Sequence, residues 1–222
     1  MSDFDIKIGA LDLLWKIRAQ MGEFQSKAPN VLQNAVNNTA TFARSQIASA
    51  AQKRYTHRDK KTILNKDRLR VGKADKRSKK YVAELHASGT LEKLSYFKVT
   101  PNTYGGPVSA QVLARSAPVL LFGAKPNPFV TRFRSGEGAG HLAVARRMIG
   151  QSYSRKKQTA KRKSKQMDLT RIEELMGPSV PSMFKMAGEE TPGLKGKINE
   201  RLNETIAEQM QKMIEKAQKG KK

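Results

Sequence analysis

The segment Ile172-Glu-Glu-Leu-Met-Gly-Pro-Ser-Val-Pro-Ser-Met-Phe184 limits the folds open to this chain more than any other stretch. Gly177-Pro178 predicts a turn, because Gly tolerates positive φ while Pro fixes φ and removes a donor. Ser179 is placed to cap a helix, and Pro181 suits that helix's first turn. Strand, rigid turn and short helix in succession form a device for holding a shape. Nothing in the segment is chemically reactive.

The flanking sequence predicts an α+β fold, an antiparallel sheet packed by a long helix in the N-terminal half and by a C-terminal helix. Phe4–Gly9 alternates as a short strand does, and Leu11 to Met21 follows helical spacing. A longer helix runs from Pro29 to about Arg54, with Leu32, Val36, Ala40, Ala43, Ile47 and Ala51 along one side. This Ala-rich stripe allows close packing of a sheet or another helix. Strands are predicted at Tyr81–Ala87, Tyr96–Val99, Val108–Arg115 and Val119–Phe122, with a turn at Gly105-Gly106-Pro107. Phe129–Arg134 and His141–Arg146 flank Ser135–Gly140 and read as a β-hairpin with a Gly-rich tip. Leu194, Ile198, Leu202, Ile206, Met210 and Ile214 recur in steps of four and mark a final helix over about 194–217, with Glu208 and Lys212 as a supporting pair. A single α+β domain spanning 1–222 is expected.

Charge sets the second constraint. The chain carries 43 Lys and Arg against 19 Asp and Glu, a formal net charge of +24 that predicts a polyanionic or acidic partner. The basic residues fall in two islands, at about 53–80 and 151–167. In the first, Ile63, Leu64, Leu69 and Val71 predict a short docked helix or hairpin, and the remainder reads as a solvated, mobile segment. The second has no acid and almost no apolar residue and reads as a loop that is disordered or ordered by a partner. Arg58, Lys60 and Lys61 in the first island, and Arg155, Lys156, Lys157, Lys161, Arg162, Lys163 and Lys165 in the second, are candidate contacts to DNA or to an acidic protein surface. Tyr55, Tyr81 and Tyr153 are isolated, so base stacking and sequence readout are not expected.

Catalysis finds little support. With no Cys and only His57, His86 and His141, no thiolate metal site is available and no cofactor is expected. Glu173-Glu174 is the one tight acidic pair near the predicted strands, and neighbouring strand residues point to opposite faces. Glu189-Glu190 is expected in a loop. The Gly-rich tip lacks the Gly-Lys-Ser/Thr of a phosphate-binding loop. Met1–Asp5 does not resemble a signal peptide, and no apolar run is long enough to cross a membrane, so a cytosolic origin is expected.

Taken in order, Tyr96-Phe-Lys-Val-Thr-Pro101, Val108-Ser-Ala-Gln-Val112, Phe129-Val-Thr-Arg-Phe133, His141-Leu-Ala-Val-Ala-Arg-Arg147 and Ile172–Pro181 resemble the minor tail protein Z family of tailed bacteriophages. The resemblance covers about residues 28–187, and Gly-Pro-Ser-Val-Pro is its most specific part. It implies a structural virion protein of the tail-completion or neck class, forming a ring at the head–tail junction around the DNA channel. Sixfold symmetry, a portal-side connector, and tail-tube or tail-terminator neighbours are further implications. In such a ring, Phe129, Phe133, Gly136, Gly138, His141, Gly177, Pro178, Pro181, Met183 and Phe184 are candidate subunit-interface residues, since hairpins and strand edges let neighbouring copies extend one another's sheets. The clustered methionines from Met167 to Met213 predict core filling or an adaptable interface. The alternative is a non-specific nucleic-acid-binding assembly or packaging accessory.

Overall fold

A computed structural model describes residues 4–9, 11–77, 81–121, 127–133, 140–152 and 170–219. The architecture is α+β, as expected. The chain forms two compact units: Met1–Arg54, Lys60–Thr90 and Ser179–Lys222 make up a helical unit, while Tyr55–Asp59 and Leu91–Pro178 make up a strand unit.

The helical unit is organised by α2 (Ala28–Arg54), preceded by β1 (Phe4–Gly9) and α1 (Leu14–Met21). Val31, Leu32, Ala35, Val36, Ala40, Ala43, Ile47 and Ala51 of α2 are all fully buried, a stripe at helical spacing. Its alanines let α4 (Val180–Glu190), α5 (Leu194–Lys219) and β3 (Val82–Ala87) approach closely. β3 is the centre of a three-stranded antiparallel sheet between β1 and β2 (Arg70–Gly72). Phe4 pairs with Ala87 and Gly9 with Val82, while Arg70 pairs with His86. This register turns Ala83, Leu85 and Ala87 into the core and leaves Glu84 and Arg70 exposed on the other face.

Within residues 60–77 the short docked element expected around Ile63, Leu64, Leu69 and Val71 is present, and the chain beyond it is held at Ala74, where a solvated segment was expected. Leu64 and Leu69 are fully buried and Ala74 nearly so, around the short helix α3 (Lys60–Ile63). The backbone is tied to α2 as well. Asn37 Oδ1 accepts from the Ala74 N–H at 2.8 Å, and Gln33 and Gln52 side chains donate to the Ala74 and Leu64 carbonyls. Three spaced apolar anchors outweigh the solvation of the lysines between them. Glu189-Glu190 also departs from expectation: both close α4, and Glu190 pairs with Arg54.

The strand unit holds three small sheets, of which the two three-stranded ones are antiparallel. β4 (Leu91–Lys93) pairs with β11 (Met176–Ser179). β6 (Ser109–Gln111) lies between β5 (Lys98–Thr100) and β7 (Val119–Leu120). β9 (Leu142–Ser152) lies between β8 (Phe129–Arg132) and β10 (Thr170–Glu174). The predicted hairpin is present: Phe129 pairs with Ala145 and Arg132 with Leu142. Its tip, including Gly136 and Gly138, lies outside the described residues, as do Tyr153 and Phe122.

Two strand expectations are shortened. Leu94–Tyr96 forms a 3-10 turn, so the strand predicted from Tyr96 begins at Lys98. The strand predicted over Val108–Arg115 keeps only Ser109–Gln111. Beyond it, the Val112 carbonyl accepts from the Thr56 N–H, and a turn closes from the Ser116 N–H to the Leu113 carbonyl. Alternating sequence specified the apolar face there, but tertiary hydrogen bonds took the backbone away from the sheet.

Gly177-Pro178 requires the largest correction. The pair lies within β11 and forms no turn. Glycine is needed there for space. A Cβ at position 177 would stand 2.6 Å from Phe97 Cε2 and 3.2 Å from its Cδ2. The ring occupies the place a side chain would take. The helix that follows begins as predicted: Ser179 Oγ accepts from the Ser182 N–H at 3.3 Å, and Pro181 lies in the first turn.

Candidate functional site

In the strand unit, β9 outruns its neighbours. β8 pairs with Leu142–Ala145 only, whereas β10 pairs with β9 as far as Ser152. Among the described residues, no strand covers the second edge of β9 beyond Ala145. Register shifts between Thr170, opposite Ser152, and Arg171, opposite Met148. Ile149, Gly150 and Gln151 therefore bulge from the ladder, with Gly150 at φ 79°, where glycine is favoured. Ile149 is 71% exposed. A bulged two-stranded ribbon with an exposed aliphatic side chain is a surface suited to pairing.

The second basic island is the connection across this ribbon. Residues 153–169 join Ser152 to Thr170, which are register partners. Arg155, Lys156, Lys157, Lys161, Arg162, Lys163 and Lys165 themselves lie outside the described residues. Sequence periodicity gave no sign of this placement, because the pairing of 146–152 with 170–174 is non-local and interrupted by a bulge.

At the base of the ribbon, His141 sits between a cation and an anion. Its Nε2 is 3.0 Å from Glu174 Oε1 and 3.1 Å from Lys93 Nζ, and Lys93 Nζ is 3.7 Å from Glu174 Oε2. The Phe133 ring lies 5.6 Å from the His141 ring. Glu173 points the other way and takes a forked contact from Arg146, at 3.2 and 3.0 Å. The acidic pair is thus divided between two faces, as strand alternation requires, and each carboxylate is occupied by a cation. Phe129 lies beneath the Arg147 guanidinium at 5.6 Å. Phe133 and His141 are half-buried at the hairpin-tip end of β8 and β9, and half-buried Phe129 sits at the other end of β8, opposite Ala145.

The remaining interface candidates separate. Gly177 and Pro178 are half-buried in β11, with Gly177 against Phe97. Pro181 is buried, and Met183 and Phe184 are fully buried, inside the helical unit. They point into the core as one face of α4, so they are not surface residues. Exposed Met176 is the methionine of this segment that faces solvent.

His57 was not singled out by sequence, and the structure gives it a specific place. Its side chain is 1% exposed. Nδ1 accepts from the Asp59 N–H at 3.1 Å, which leaves Nε2 as the protonated nitrogen, 3.7 Å from Glu92 Oε2. Tyr96 and Phe97 meet its ring edge-on at 5.6 and 5.1 Å. Burial lowers its pKa below the ordinary 6.5, against the opposing pull of Glu92 and Asp59. Adjacent Arg58 stacks over Tyr96 at 4.3 Å and contacts Asp59 at 3.3 Å. Arg58 is therefore engaged within the strand unit. Lys60 and Lys61 belong to α3 in the helical unit, with Lys61 exposed.

Among the described residues, no group of three His, Asp or Glu side chains is placed to hold a metal ion. No described helix is long and apolar enough to cross a membrane. Compared with known protein families, curated proteins and solved structures, the chain matches none.

Proposed function

We propose that this chain is a structural subunit of a tailed-phage particle, a tail-completion or neck protein that assembles as a ring at the head–tail junction. The observation that carries this reading is the β9–β10 ribbon: among the described residues no strand pairs with β9 beyond Ala145 on the side of β8, and Ile149 is exposed. The edge of a bulged strand joins copies of a chain by backbone hydrogen bonds without demanding a large apolar interface. The segments that resemble the minor tail protein Z family fall largely in this strand unit, which supports the same reading. The basic residues between Ser152 and Thr170 would then meet DNA or acidic neighbours.

Quantitative mass spectrometry of purified, DNA-filled particles, scaled to the portal protein, tests it directly. One ring's worth of copies per particle is expected, and absence from finished particles overturns the proposal. Ile149→Lys places a charge on that edge. It is expected to yield unjoined heads and tails while the purified chain keeps its melting temperature. Normal joining would remove the ribbon from the mechanism.

A nucleic-acid-binding accessory is the second reading, favoured by the concentration of charge in residues 153–169, seven Lys or Arg against one Asp. Neutralising that island should then abolish function, whereas a connector subunit loses function at the strand edge first.

A further inference from the structure

The helical unit contains a polar cavity of about 400 Å3, lined by Thr62, Asn65, Asp67, Arg68, Arg70 and Ser88. We propose that it is a phosphate-binding site that takes the phosphodiester backbone of duplex DNA, without reading sequence.

Two guanidinium groups line one concave site. Arg68 precedes the buried Leu69, and Arg70 opens β2 opposite His86. Leu69 thus fixes the backbone from which both arginines project. Among the described residues, neither has an ion-pair partner. Arg44, Arg54, Arg146 and Arg201 are engaged by carboxylates, whereas, among the described residues, Arg18, Arg77, Arg115, Arg132 and Arg171 are not; what sets Arg68 and Arg70 apart is that they share one cavity. The cavity's acid, Asp67, lies 3.8 Å from Arg44. It is 70% exposed, and against the two arginines it leaves the cavity lining net positive.

The rest of the lining matches an oxyanion. Thr62 and Ser88 hydroxyls and the Asn65 amide are neutral donors, and two guanidinium forks match the oxygens of a phosphate. Exposed Lys61, Lys66 and Lys73 continue the positive charge beyond the cavity on the same stretch of chain. A lone phosphate ion has no use for that extension, whereas a polyanion with repeating charges does. No aromatic side chain lines the cavity, so base stacking contributes nothing.

This site goes beyond the ring proposal and is independent of it. Loss of DNA binding here would leave the assembly role standing, and the reverse also holds.

The test uses the full chain and a mixed-sequence DNA duplex, with affinity followed by fluorescence anisotropy from about 50 to 200 mM salt. Arg68→Ala with Arg70→Ala is expected to reduce the slope of log affinity against log salt by about 1.8, or about 0.9 per lost phosphate contact. Affinity near 0.1 M salt should fall about tenfold or more. A charge-matched control, Lys195→Ala with Lys197→Ala on exposed α5 positions, should change the slope by less than half as much. Equal losses from the two pairs would show diffuse attraction and overturn the proposal, as would an unchanged slope. If the double variant melts early, single Arg68→Gln and Arg70→Gln variants carry the same test at about 0.9 each. Inorganic phosphate at matched ionic strength distinguishes the other source. If it raises the melting temperature of the native chain but not of the variant, while the DNA slope is unchanged, the cavity serves a free phosphate ion and the DNA proposal fails.

Discussion

The helical and strand units reach order by different physics. In the helical unit, one long helix buries an Ala-rich stripe, and α4, α5 and β3 fill in around it with Phe184, Met183 and Leu85. In the strand unit, the sheets are short and the buried apolar set is small: Phe97, Val108, Val130, Ala143 and Val144 are its main members. Specific contacts supply the rest. Gly177 admits Phe97, His57 sits edge-on to two rings, and Glu174 gathers Lys93 and His141. Apolar stripes tolerate exchange of volume, whereas such point contacts do not. The contrast suits the proposed division of labour, with a robust body in one unit and an assembly edge in the other.

The contrast can be broken most severely at Phe184. Its truncation to Ala removes a fully buried ring from the helical unit and should destabilise the chain by about 3–5 kcal/mol. Chemical denaturation measures this, and hydrogen exchange should localise the loss to α2, α4 and β3. Gly177→Ala is the counterpart in the strand unit. Phe97 is 5% exposed and pressed against His57, so its ring has little room to withdraw. About 1–3 kcal/mol of destabilisation is expected, with exchange rising first in β4 and β11. A loss below that range would show that the ring moves freely and that close approach is not what holds the glycine.

Ser179→Ala sharpens the comparison at the boundary in sequence between the units. It removes the acceptor for the Ser182 N–H and should cost about 1 kcal/mol, with Ser179→Asp restoring most of it. The smallest effect at neutral pH concerns His57. Its folded pKa lies below its unfolded value of 6.5, so the unfolded chain binds more protons between the two. Stability is therefore complete above about 6.5 and declines as pH falls through that value toward the folded pKa. Melting curves across this range should show the decline, and His57→Gln should flatten it. An unchanged profile in the variant would assign the acid sensitivity to other groups.

Much of the helical unit was legible because its determinants are local and periodic. The α2 stripe, the terminal helix, Ser179 and Pro181 all followed from spacing or capping chemistry within a few residues. The hairpin of β8 and β9 was legible for the same reason. The first basic island was legible in part: Leu64 and Leu69 marked its docked element, whereas buried Ala74 and its hydrogen bonds to Gln33 and Asn37 lay hidden among the lysines. Of the candidate site, the sequence named the basic residues and the hairpin, but neither the bulged edge of β9 nor the cavity holding Arg68 and Arg70.

By itself, the sequence determined where helices run, which faces are apolar, and how much positive charge the chain must place on its surface. Those properties arise from neighbours in the chain. Only the tertiary structure decided that Gly177 serves space and not a turn, that Met183 and Phe184 are core, and that His57 is enclosed. It also decided that Arg68 and Arg70 share one cavity, and that residues 153–169 connect the strands of a ribbon. Each of these depends on groups distant in sequence meeting at atomic range, where exclusion of overlap and loss of water set the energy. Composition and periodicity carry no record of that meeting.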